Sequence, residues 1–169
     1  MKSSMQRILV IGCCGAGKST FAKELSSKLN LPLVQLDRLF WKPGWIEQEE
    51  RVFAELLQSE LDRDEWIVDG NYLKSLPLRL EYSDAVIFLD LNRWICTWRI
   101  LKRWLLREGY QADGCPQKVD LPFLKYVFWD YRQCHRTKVL ELKSRSLNSV
   151  NWLVFDNIAE IDKWLSALK

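Results

Sequence analysis

The chain has 169 residues, of which 48% are hydrophobic and 28% charged, and its formal net charge is +3. These values are typical of a globular protein with a sizeable core. They do not indicate a nucleic-acid or membrane partner, because the charge excess is small and no run approaches the ~18 apolar residues of a membrane span. The five cysteines form no C-x-x-C pair, which argues against disulfides or a zinc finger and favours a cytoplasmic protein.

The first predicted strand leads directly into a phosphate-binding loop. Ile8 to Ile11 form an uninterrupted aliphatic run, typical of a strand buried on both faces, and Gly12 to Ser19 match the pattern G-x-x-x-x-G-K-S. The glycines allow successive N–H groups to turn towards a phosphate, Lys18 adds positive charge, and the Ser19 hydroxyl can bind Mg²⁺. We predict a nucleoside triphosphate with Mg²⁺ here, contacted by Gly12, Gly15, Ala16, Gly17, Lys18, Ser19 and Thr20.

Two other interpretations of this segment are less favoured. A secretory signal or lipid-attachment site is suggested by basic residues before a short apolar run, but cleavage there would cut through the loop. A loop that binds some other anion would use the same backbone geometry. We expect the side chains of Cys13 and Cys14, inside the loop, to face away from a bound phosphate.

Strands and helices alternate along the rest of the chain. The spacing of apolar residues predicts helices at about 17–30, 46–63, 92–107, 120–143 and 158–168. Apolar runs predict further strands at about 33–37, 66–71, 85–90 and 152–156. This pattern indicates an α/β fold with a five-stranded parallel sheet covered by helices on both faces, in one domain over residues 1–169. Ligands then bind at the carboxyl ends of the strands.

Three aspartates are predicted at those strand ends, namely Asp37, Asp69 and Asp90. We expect Asp69 to reach Mg²⁺ or a metal-bound water. Asp37 is predicted to be an acceptor-site carboxylate or a second metal contact. For both residues the alternative is a structural role in a turn or a helix cap. Asp90 is expected to end its strand structurally.

An aromatic and basic segment follows Asp37. Its rings, Phe40, Trp41 and Trp45, either stack on a planar acceptor or cover the edge of the sheet, and the sequence leaves both possibilities open. We expect most of the nine tryptophans of the chain to lie in the core.

The predicted helix at 92–107 carries a row of arginines. Arg99, Arg103 and Arg107 recur every four residues and form one face, separate from an apolar stripe that includes Trp94 and Trp98. The planar guanidinium group suits phosphate oxygens, so we expect this face to clamp a transferring phosphate. The alternative is an ordinary solvated basic face. The pair Arg132 and Arg136 repeats the pattern more weakly on the next helix.

Several of these motifs together resemble nucleoside-monophosphate kinases. They are the loop Gly12–Thr20, Leu36-Asp37-Arg38, Val68-Asp69-Gly70, and the pair Arg99 and Arg103, which is similar to the arginines that open the lid of adenylate kinase. More closely, residues 7–135 resemble the adenylate-kinase-related "topology modulation protein" family of bacterial P-loop proteins. That likeness is carried by the segments 36–45, 66–72 and 84–103.

The resemblance implies a P-loop NTPase fold with sheet order 2-3-1-4-5, ATP and Mg²⁺ on the loop, an acceptor-binding segment at about 37–63 and a lid at about 104–120. By motif match, Lys18 and Ser19 would contact ATP and Mg²⁺, Asp69 would lie near the metal, and Arg99 and Arg103 would lie over adenine and the phosphates. The acceptor would be bound by Asp37, Arg38, Trp41, Gly70, Asn71 and Arg79.

One departure from adenylate kinases bears on the acceptor. Those enzymes follow Asp-Gly with Phe-Pro-Arg, whose arginine grips the AMP phosphate, whereas Asn71, Tyr72 and Leu73 follow here. AMP is therefore not favoured as the acceptor, although Lys74 or Arg79 are candidates to replace the missing arginine.

The sequence thus predicts an ATP-binding, Mg²⁺-dependent phosphotransferase for a small-molecule acceptor, with nucleotides among the candidates. Its catalytic residues would be Lys18, Asp69, Arg99 and Arg103. The alternative is a nucleotide-dependent regulatory ATPase linked to DNA topology or to a protein partner, although no nucleic-acid-binding motif is present. A GTPase ranks last because no guanine-reading motif follows the fourth strand. An enclosed acceptor cleft would favour the kinase, and the oligomeric state is left open.

Overall fold

A parallel sheet of five strands lies at the centre of the computed structural model, which describes residues 5–106, 114–115, 119–146 and 149–168. The strands of the chain are β1 (Arg7–Gly12), β2 (Leu33–Gln35), β3 (Trp41–Lys42), β4 (Ile46–Glu47), β5 (Trp66–Asp69), β6 (Ala85–Leu89) and β7 (Asn151–Phe155). The central sheet has the order β2-β5-β1-β6-β7, and β3 and β4 form a separate antiparallel hairpin. Numbered within the sheet alone, the order is 2-3-1-4-5. The predicted fold class and strand order are confirmed.

Helices pack on both faces of this sheet. They are α1 (Lys18–Leu29), α2 (Leu36–Phe40), α3 (Glu50–Leu61), α4 (Leu76–Tyr82), α5 (Arg93–Leu105), α6 (Leu121–Lys125), α7 (Thr137–Ser146) and α8 (Ile158–Ala167). A π-helical stretch, Tyr126–Arg136, joins α6 to α7. In the described ranges, no helix combines the length and apolarity needed to cross a bilayer.

The central strand β1 divides the core into two layers. Ile8 and Val10 belong to the cluster that includes residues of α1, α8 and the π-helical stretch, whereas Leu9 and Ile11 belong to the cluster with α3, α4 and α7. All four side chains are fully buried. Successive side chains of β1 point to opposite faces of the sheet, and helices cover both faces. Every residue of the run Ile8–Ile11 is therefore buried and apolar.

Two predicted boundaries around the acceptor segment were wrong, and one helix was missed. Strand β2 ends at Gln35, so Asp37 lies in the first turn of α2 and not at a strand end. The β3–β4 hairpin occupies the start of the helix predicted from residue 46, so α3 begins only at Glu50. The turn between β3 and β4 has left-handed backbone angles, with φ of 83° at Gly44 and 63° at Trp45. The short helix α4 was not predicted at all.

The later part of the chain also differs from prediction. The helix expected over 120–143 is three consecutive helical segments that end at Ser146. Most of the tryptophans are not in the core: Trp66 is fully buried, but Trp94, Trp98, Trp104 and Trp129 are at least half exposed. The apolar stripe on α5 therefore faces solvent. Much of the predicted lid at 104–120, including Arg107, lies outside the described residues.

Candidate active site

The phosphate-binding loop connects β1 to α1 and packs tightly against its neighbours. Gly15 has a φ of 81°, and a Cβ atom there would lie 2.3 Å from the carbonyl oxygen of Cys96 on α5. Gly12 is similarly constrained, because a Cβ would lie 2.5 Å from the carbonyl oxygen of Leu89. Glycine is therefore required at both positions by backbone angle and by space. Ala16 is buried, and α1 begins at Lys18, so its N-terminus lies at the loop.

A single cleft of about 840 Å³ opens at the carboxyl end of the sheet. Most of the residues predicted for the site line it, and they come from the loop, β2, β5, α2, α5 and the hairpin. The lining residues are Cys14, Gly15, Gly17, Lys18, Ser19, Thr20, Gln35, Asp37, Trp41, Trp45, Asp69, Gly70, Asn71, Tyr72, Leu73, Arg99, Ile100, Arg103, Asp120, Phe123, Tyr126 and His135.

Lys18 sits at the base of this cleft. Its ammonium group donates a hydrogen bond to the carbonyl oxygen of Cys13 at 3.1 Å. Burial lowers the pKa of Lys18, but its interactions with the Cys14 side chain and with the carboxylates of Asp69 and Asp37 outweigh that effect and raise the pKa overall. The lysine is therefore charged at neutral pH and is available to a phosphate group.

The two residues predicted to bind Mg²⁺, Asp69 and Ser19, lie together in the cleft. Asp69 is 5% exposed, and its Oδ1 atom is buried without a hydrogen-bond partner. Burial raises the pKa of Asp69, while Lys18 and hydrogen bonds from Ser19 and Gln35 oppose the shift. A buried carboxylate oxygen with no partner fits a hard cation, and the Ser19 hydroxyl lies beside it. The described residues contain no cluster of three or more Asp, Glu, His or Cys side chains suited to a metal.

Two arginines of α5 reach the loop from the opposite side. The Arg99 guanidinium donates to the carbonyl oxygen of Ala16 at 3.1 Å and lies over Gly17. Arg103, one turn further along, lines the cleft with its Nε atom buried and without a hydrogen-bond partner. The arginine face predicted on this helix is thus directed at the phosphate-binding loop.

Asp37 and Tyr72 form a pair on the other wall of the cleft. The Tyr72 hydroxyl donates a hydrogen bond of 2.7 Å to Asp37 Oδ1. Burial, followed by the nearby carboxylate, raises the pKa of Tyr72, so the tyrosine keeps its proton and holds the Asp37 carboxylate in one orientation. Tyr72 was not predicted as a site residue, although it stands two positions after Gly70 in the quoted motif.

The aromatic segment is divided between the core and the cleft. Phe40 packs against Phe53 and Tyr72 at ring-centroid distances of 5.3 and 4.9 Å, and so covers the core. Trp41 and Trp45 line the cleft, with ring centroids 5.3 Å apart and ring planes at 74°. These two rings form a corner beside Asp37.

Two residues predicted to bind the acceptor instead hold the backbone. The Asn71 side chain accepts from the Gly12 N–H at 3.0 Å and donates to the Gly12 carbonyl at 2.7 Å, which links β5 to the phosphate-binding loop. Arg79 is fully buried and donates to the carbonyl oxygens of Gly70, Asn71 and Tyr72. Asn71 still lines the cleft, but Arg79 lies behind the chain and does not.

Other predicted residues lie away from the cleft or differ in orientation. Arg38, in α2, is not among the lining residues. Arg136 binds the Asp90 carboxylate with its Nε and terminal nitrogen, the latter at 2.7 Å, and Arg132 donates to the Leu91 carbonyl. These arginines therefore anchor the π-helical stretch to the end of β6. Contrary to expectation, Cys14 faces into the cleft.

The π-helical stretch adds residues to the cleft that sequence reasoning missed. Tyr126 and His135 both line it, and the Tyr126 hydroxyl lies 3.2 Å from His135 Nδ1. Nine residues span about two and a half turns of an α-helix, which would place the two side chains on opposite faces. The wider turn of the π-helix aligns them. Burial lowers the pKa of His135, so the neutral imidazole is favoured there.

The sheet order, the phosphate-binding loop and the helix packing are those of a P-loop kinase fold, and comparison with known proteins is consistent with this class. No protein-family model matches the sequence. The pentafunctional AROM polypeptide of Saccharomyces cerevisiae strain S288c is 26% identical over 150 residues, covering 66% of this chain. The matched stretch is 9% of the length of that polypeptide.

Two solved structures align over nearly the whole chain. A presumed kinase from Chloroflexus aurantiacus J-10-fl aligns with a TM-score of 0.56 and 18% identity, covering 99% of this chain and all of that one, 100%. Shikimate kinase from Bacteroides thetaiotaomicron aligns with a TM-score of 0.49 and 20% identity, covering 98% of this chain and 96% of that one. The first of these supports the fold assignment.

Proposed function

We propose that the protein is an ATP-dependent, Mg²⁺-requiring phosphotransferase, of the nucleoside-monophosphate-kinase-like type, for a small-molecule acceptor. One observation carries the proposal. The cleft at the carboxyl end of the sheet places a charged lysine, a carboxylate with an unpartnered oxygen and two arginines together with a second, oriented carboxylate. A protein that only binds and hydrolyses a nucleoside triphosphate needs the lysine, the first carboxylate and the arginines. It does not need the second carboxylate and the wall around it.

The nucleotide half of the cleft stabilises negative charge. Lys18 and the loop N–H groups bind the phosphates, and Ser19 and Asp69 hold the cation. Mg²⁺, when bound, neutralises charge on the phosphate oxygens. Arg99 and Arg103 close over the loop and stabilise the charge that develops as the phosphoryl group moves. Because these groups are already oriented by packing, little reorganisation is required during transfer.

The acceptor half supplies orientation and a proton acceptor. The Asp37 carboxylate, oriented by Tyr72, accepts a hydrogen bond from an acceptor hydroxyl and takes its proton during attack. Residues of the predicted lid contact this side, since the Gly44 N–H donates to the Gly114 carbonyl at 3.0 Å and the Cys115 thiol to the Lys42 carbonyl at 3.3 Å. These contacts cover the hairpin side of the cleft, and exclusion of water from the acceptor favours transfer over hydrolysis.

The experiment is a titration of acceptors against Mg²⁺–ATP while ADP release is followed. We expect slow hydrolysis by the protein alone and acceleration by one acceptor class. If ATP binds in a Lys18-dependent way but no small molecule accelerates ADP release, the phosphotransferase proposal fails while the nucleotide site stands.

The rival proposal is a nucleotide-dependent regulatory ATPase, in line with the resemblance to the topology modulation protein family. The outer face of α5 favours it, because Trp94 and Trp98 are 67% and 66% exposed and Lys102 lies beside them. Exposed aromatic and basic side chains suit a macromolecular partner. Acceleration of ADP release by DNA or a protein fraction, and by no small acceptor, would replace the kinase proposal with this one.

A further inference from the structure

In the part of the chain that the structure describes, the acceptor half of the cleft is lined by a carboxylate and aromatic rings and by no lysine or arginine. Among the residues that the structure describes, the lysine and arginine side chains that line the cleft are Lys18, Arg99 and Arg103. All three belong to α1 or α5, on the nucleotide side. Asp37, Trp41, Trp45, Tyr72 and Leu73 form the opposite wall.

The positive groups closest in sequence to this wall lie outside the cleft. Arg38 and Lys42, which follow Asp37 and Trp41, are exposed and are not among its lining residues. The guanidinium of Arg79 is buried behind residues 70–72 and donates to their carbonyl oxygens. Lys74 is 93% exposed at its side chain and lies 3.6 Å from Glu50, outside the cleft. Within the described ranges, an anionic group of an acceptor on this wall would therefore lie beside the Asp37 carboxylate, whereas the cations that line the cleft belong to the nucleotide side. Burial of an uncompensated charge beside a like charge is costly.

The remaining features of the wall suit an uncharged ring. The Trp41 and Trp45 planes meet at 74°, so one ring presents its face where the other presents its edge. Such a corner accepts the flat apolar face of a small ring, and Leu73 adds further apolar surface. The Asp37 carboxylate, held by Tyr72, accepts a hydrogen bond from a hydroxyl at the rim of that ring.

We infer that the acceptor is a hydroxylated ring compound without an anionic group, held against Trp41 and Trp45 with a hydroxyl on Asp37. This inference rests on the proposed phosphotransferase function and narrows its substrate class. It departs from the negatively charged acceptor that a nucleoside monophosphate would be. Cyclic sugars and nucleosides share the required chemistry, and separate arms of the experiment distinguish them. In the transfer step the hydroxyl oxygen bonds to the γ-phosphorus, the bond to the ADP oxygen breaks, and the hydroxyl proton passes to Asp37.

The test compares matched acceptor pairs that differ in one anionic group. The pairs are nucleosides with their 5′-monophosphates and cyclic sugars with the corresponding uronic acids. With Mg²⁺–ATP, we expect the uncharged member to accelerate ADP release about tenfold or more over its anionic partner. The responsive pair identifies a sugar or a nucleoside as the source of the ring. Preference for the anionic member, or no acceleration by any uncharged member while the wild type binds ATP, overturns the inference.

Variants separate this inference from the broader function. Trp41→Ala is expected to raise the KM for the acceptor about tenfold or more and to leave the KM for ATP unchanged, with Trp41→Phe intermediate. The matched control is Trp98→Ala, on the exposed face of α5. Leu73→Arg places a cation on the acceptor wall and should shift the preference within a pair towards the anionic member. An unchanged preference in a folded Leu73→Arg protein would show that charge on this wall does not select the acceptor.

Discussion

The two walls of the cleft differ in how they are built. The nucleotide wall consists of a loop whose N–H groups, lysine and hydroxyl follow one another in eight residues, Gly12 to Ser19, and of two arginines one helical turn apart. The acceptor wall is assembled from α2, a two-stranded hairpin and the residues after β5, and each contributes one or two side chains. The first wall is a local motif, whereas the second exists only in the folded chain.

The walls also differ in charge. Lys18, Arg99 and Arg103 line the nucleotide wall, while Asp37 and aromatic rings line the acceptor wall. A phosphoryl group therefore meets positive charge on one side and a proton acceptor on the other. The predictions below test that division, in order of decreasing expected effect.

The largest effect is expected at Lys18. Lys18→Ala should abolish ATP binding and reduce turnover about 10³-fold or more, because it removes the lysine charge at the base of the nucleotide wall. Calorimetric titration with Mg²⁺–ATP measures the binding, and circular dichroism checks the fold. Lys23→Ala, an exposed lysine on the same helix, is the matched control. Wild-type ATP affinity in folded Lys18→Ala would remove the nucleotide wall from the account.

Arg99→Ala and Arg103→Ala are expected to lower turnover by about 10²–10³-fold each, with a smaller loss of ATP affinity. Their guanidinium groups stabilise charge that develops in the transition state more than charge already present in bound ATP. Steady-state kinetics separates kcat from KM, and Lys102→Ala, exposed on the same helix, is the control. Unchanged kcat with weakened ATP binding would instead make these residues simple binding groups.

Arg79 lies behind the acceptor wall, so its removal should lower the stability of the fold and should not act directly on catalysis. Arg79→Ala removes the guanidinium donors to the carbonyl oxygens of Gly70 and Asn71, while the Tyr72 carbonyl keeps its bonds from Ser75, so the free energy of unfolding should fall by about 2–4 kcal/mol. Urea unfolding measures this change, with Arg103→Ala as the comparison. A stable Arg79→Ala protein that has lost only acceptor affinity would place Arg79 in the site after all.

The smallest effect is expected for the pH dependence of stability, through Asp69. Because burial raises its pKa in the folded state, the folded protein binds that proton more tightly than the unfolded chain does. Proton binding by Asp69 therefore stabilises the folded protein fully at pH values below the ordinary aspartate pKa. This stabilisation is lost as the pH rises through the higher pKa that Asp69 has in the folded state. Asp69→Asn should raise the melting temperature of the nucleotide-free protein at neutral pH, by about 2–4 °C for each ~1 kcal/mol gained. It should also abolish the Mg²⁺ dependence of ATP binding.

Thermal scans at several pH values, with Asp37→Asn as the matched carboxylate substitution, measure this difference. If Asp69→Asn melts below the wild type at neutral pH and retains Mg²⁺-dependent ATP binding, Asp69 is a structural residue and not a cation ligand.

The fold and the nucleotide wall could be predicted because short-range patterns specify them. The aliphatic run Ile8–Ile11 requires two buried faces, and the loop that follows has a fixed spacing. The roles of individual residues in the acceptor wall could not be predicted as fully. Arg79 was expected to bind an acceptor because its charge is visible in the sequence, but the carbonyl oxygens that it satisfies are brought to it only by folding. Likewise, the pairing of Tyr126 with His135 depends on a π-helical register that spacing does not reveal.

The exposed tryptophans show a second limit of sequence reasoning. Trp94 and Trp98 form a regular apolar stripe with the spacing of a buried helix face, yet they point to solvent. The face of α5 that packs on the loop is instead marked by Cys96 and Ile100. The helix approaches the loop so closely there that residue 15 has to be glycine, because a Cβ would lie 2.3 Å from the carbonyl oxygen of Cys96.

The central claim is that this cleft transfers a phosphoryl group to an acceptor held at Asp37. Phosphorus NMR of the protein with Mg²⁺–ATP and the responding acceptor tests it most directly, because the product is observed rather than inferred from ADP. We expect the signal of a phosphorylated acceptor with the wild type and formation about 10²-fold or more slower with Asp37→Asn, at unchanged ATP affinity. Appearance of free phosphate alone, or equal product formation by Asp37→Asn, would contradict the account.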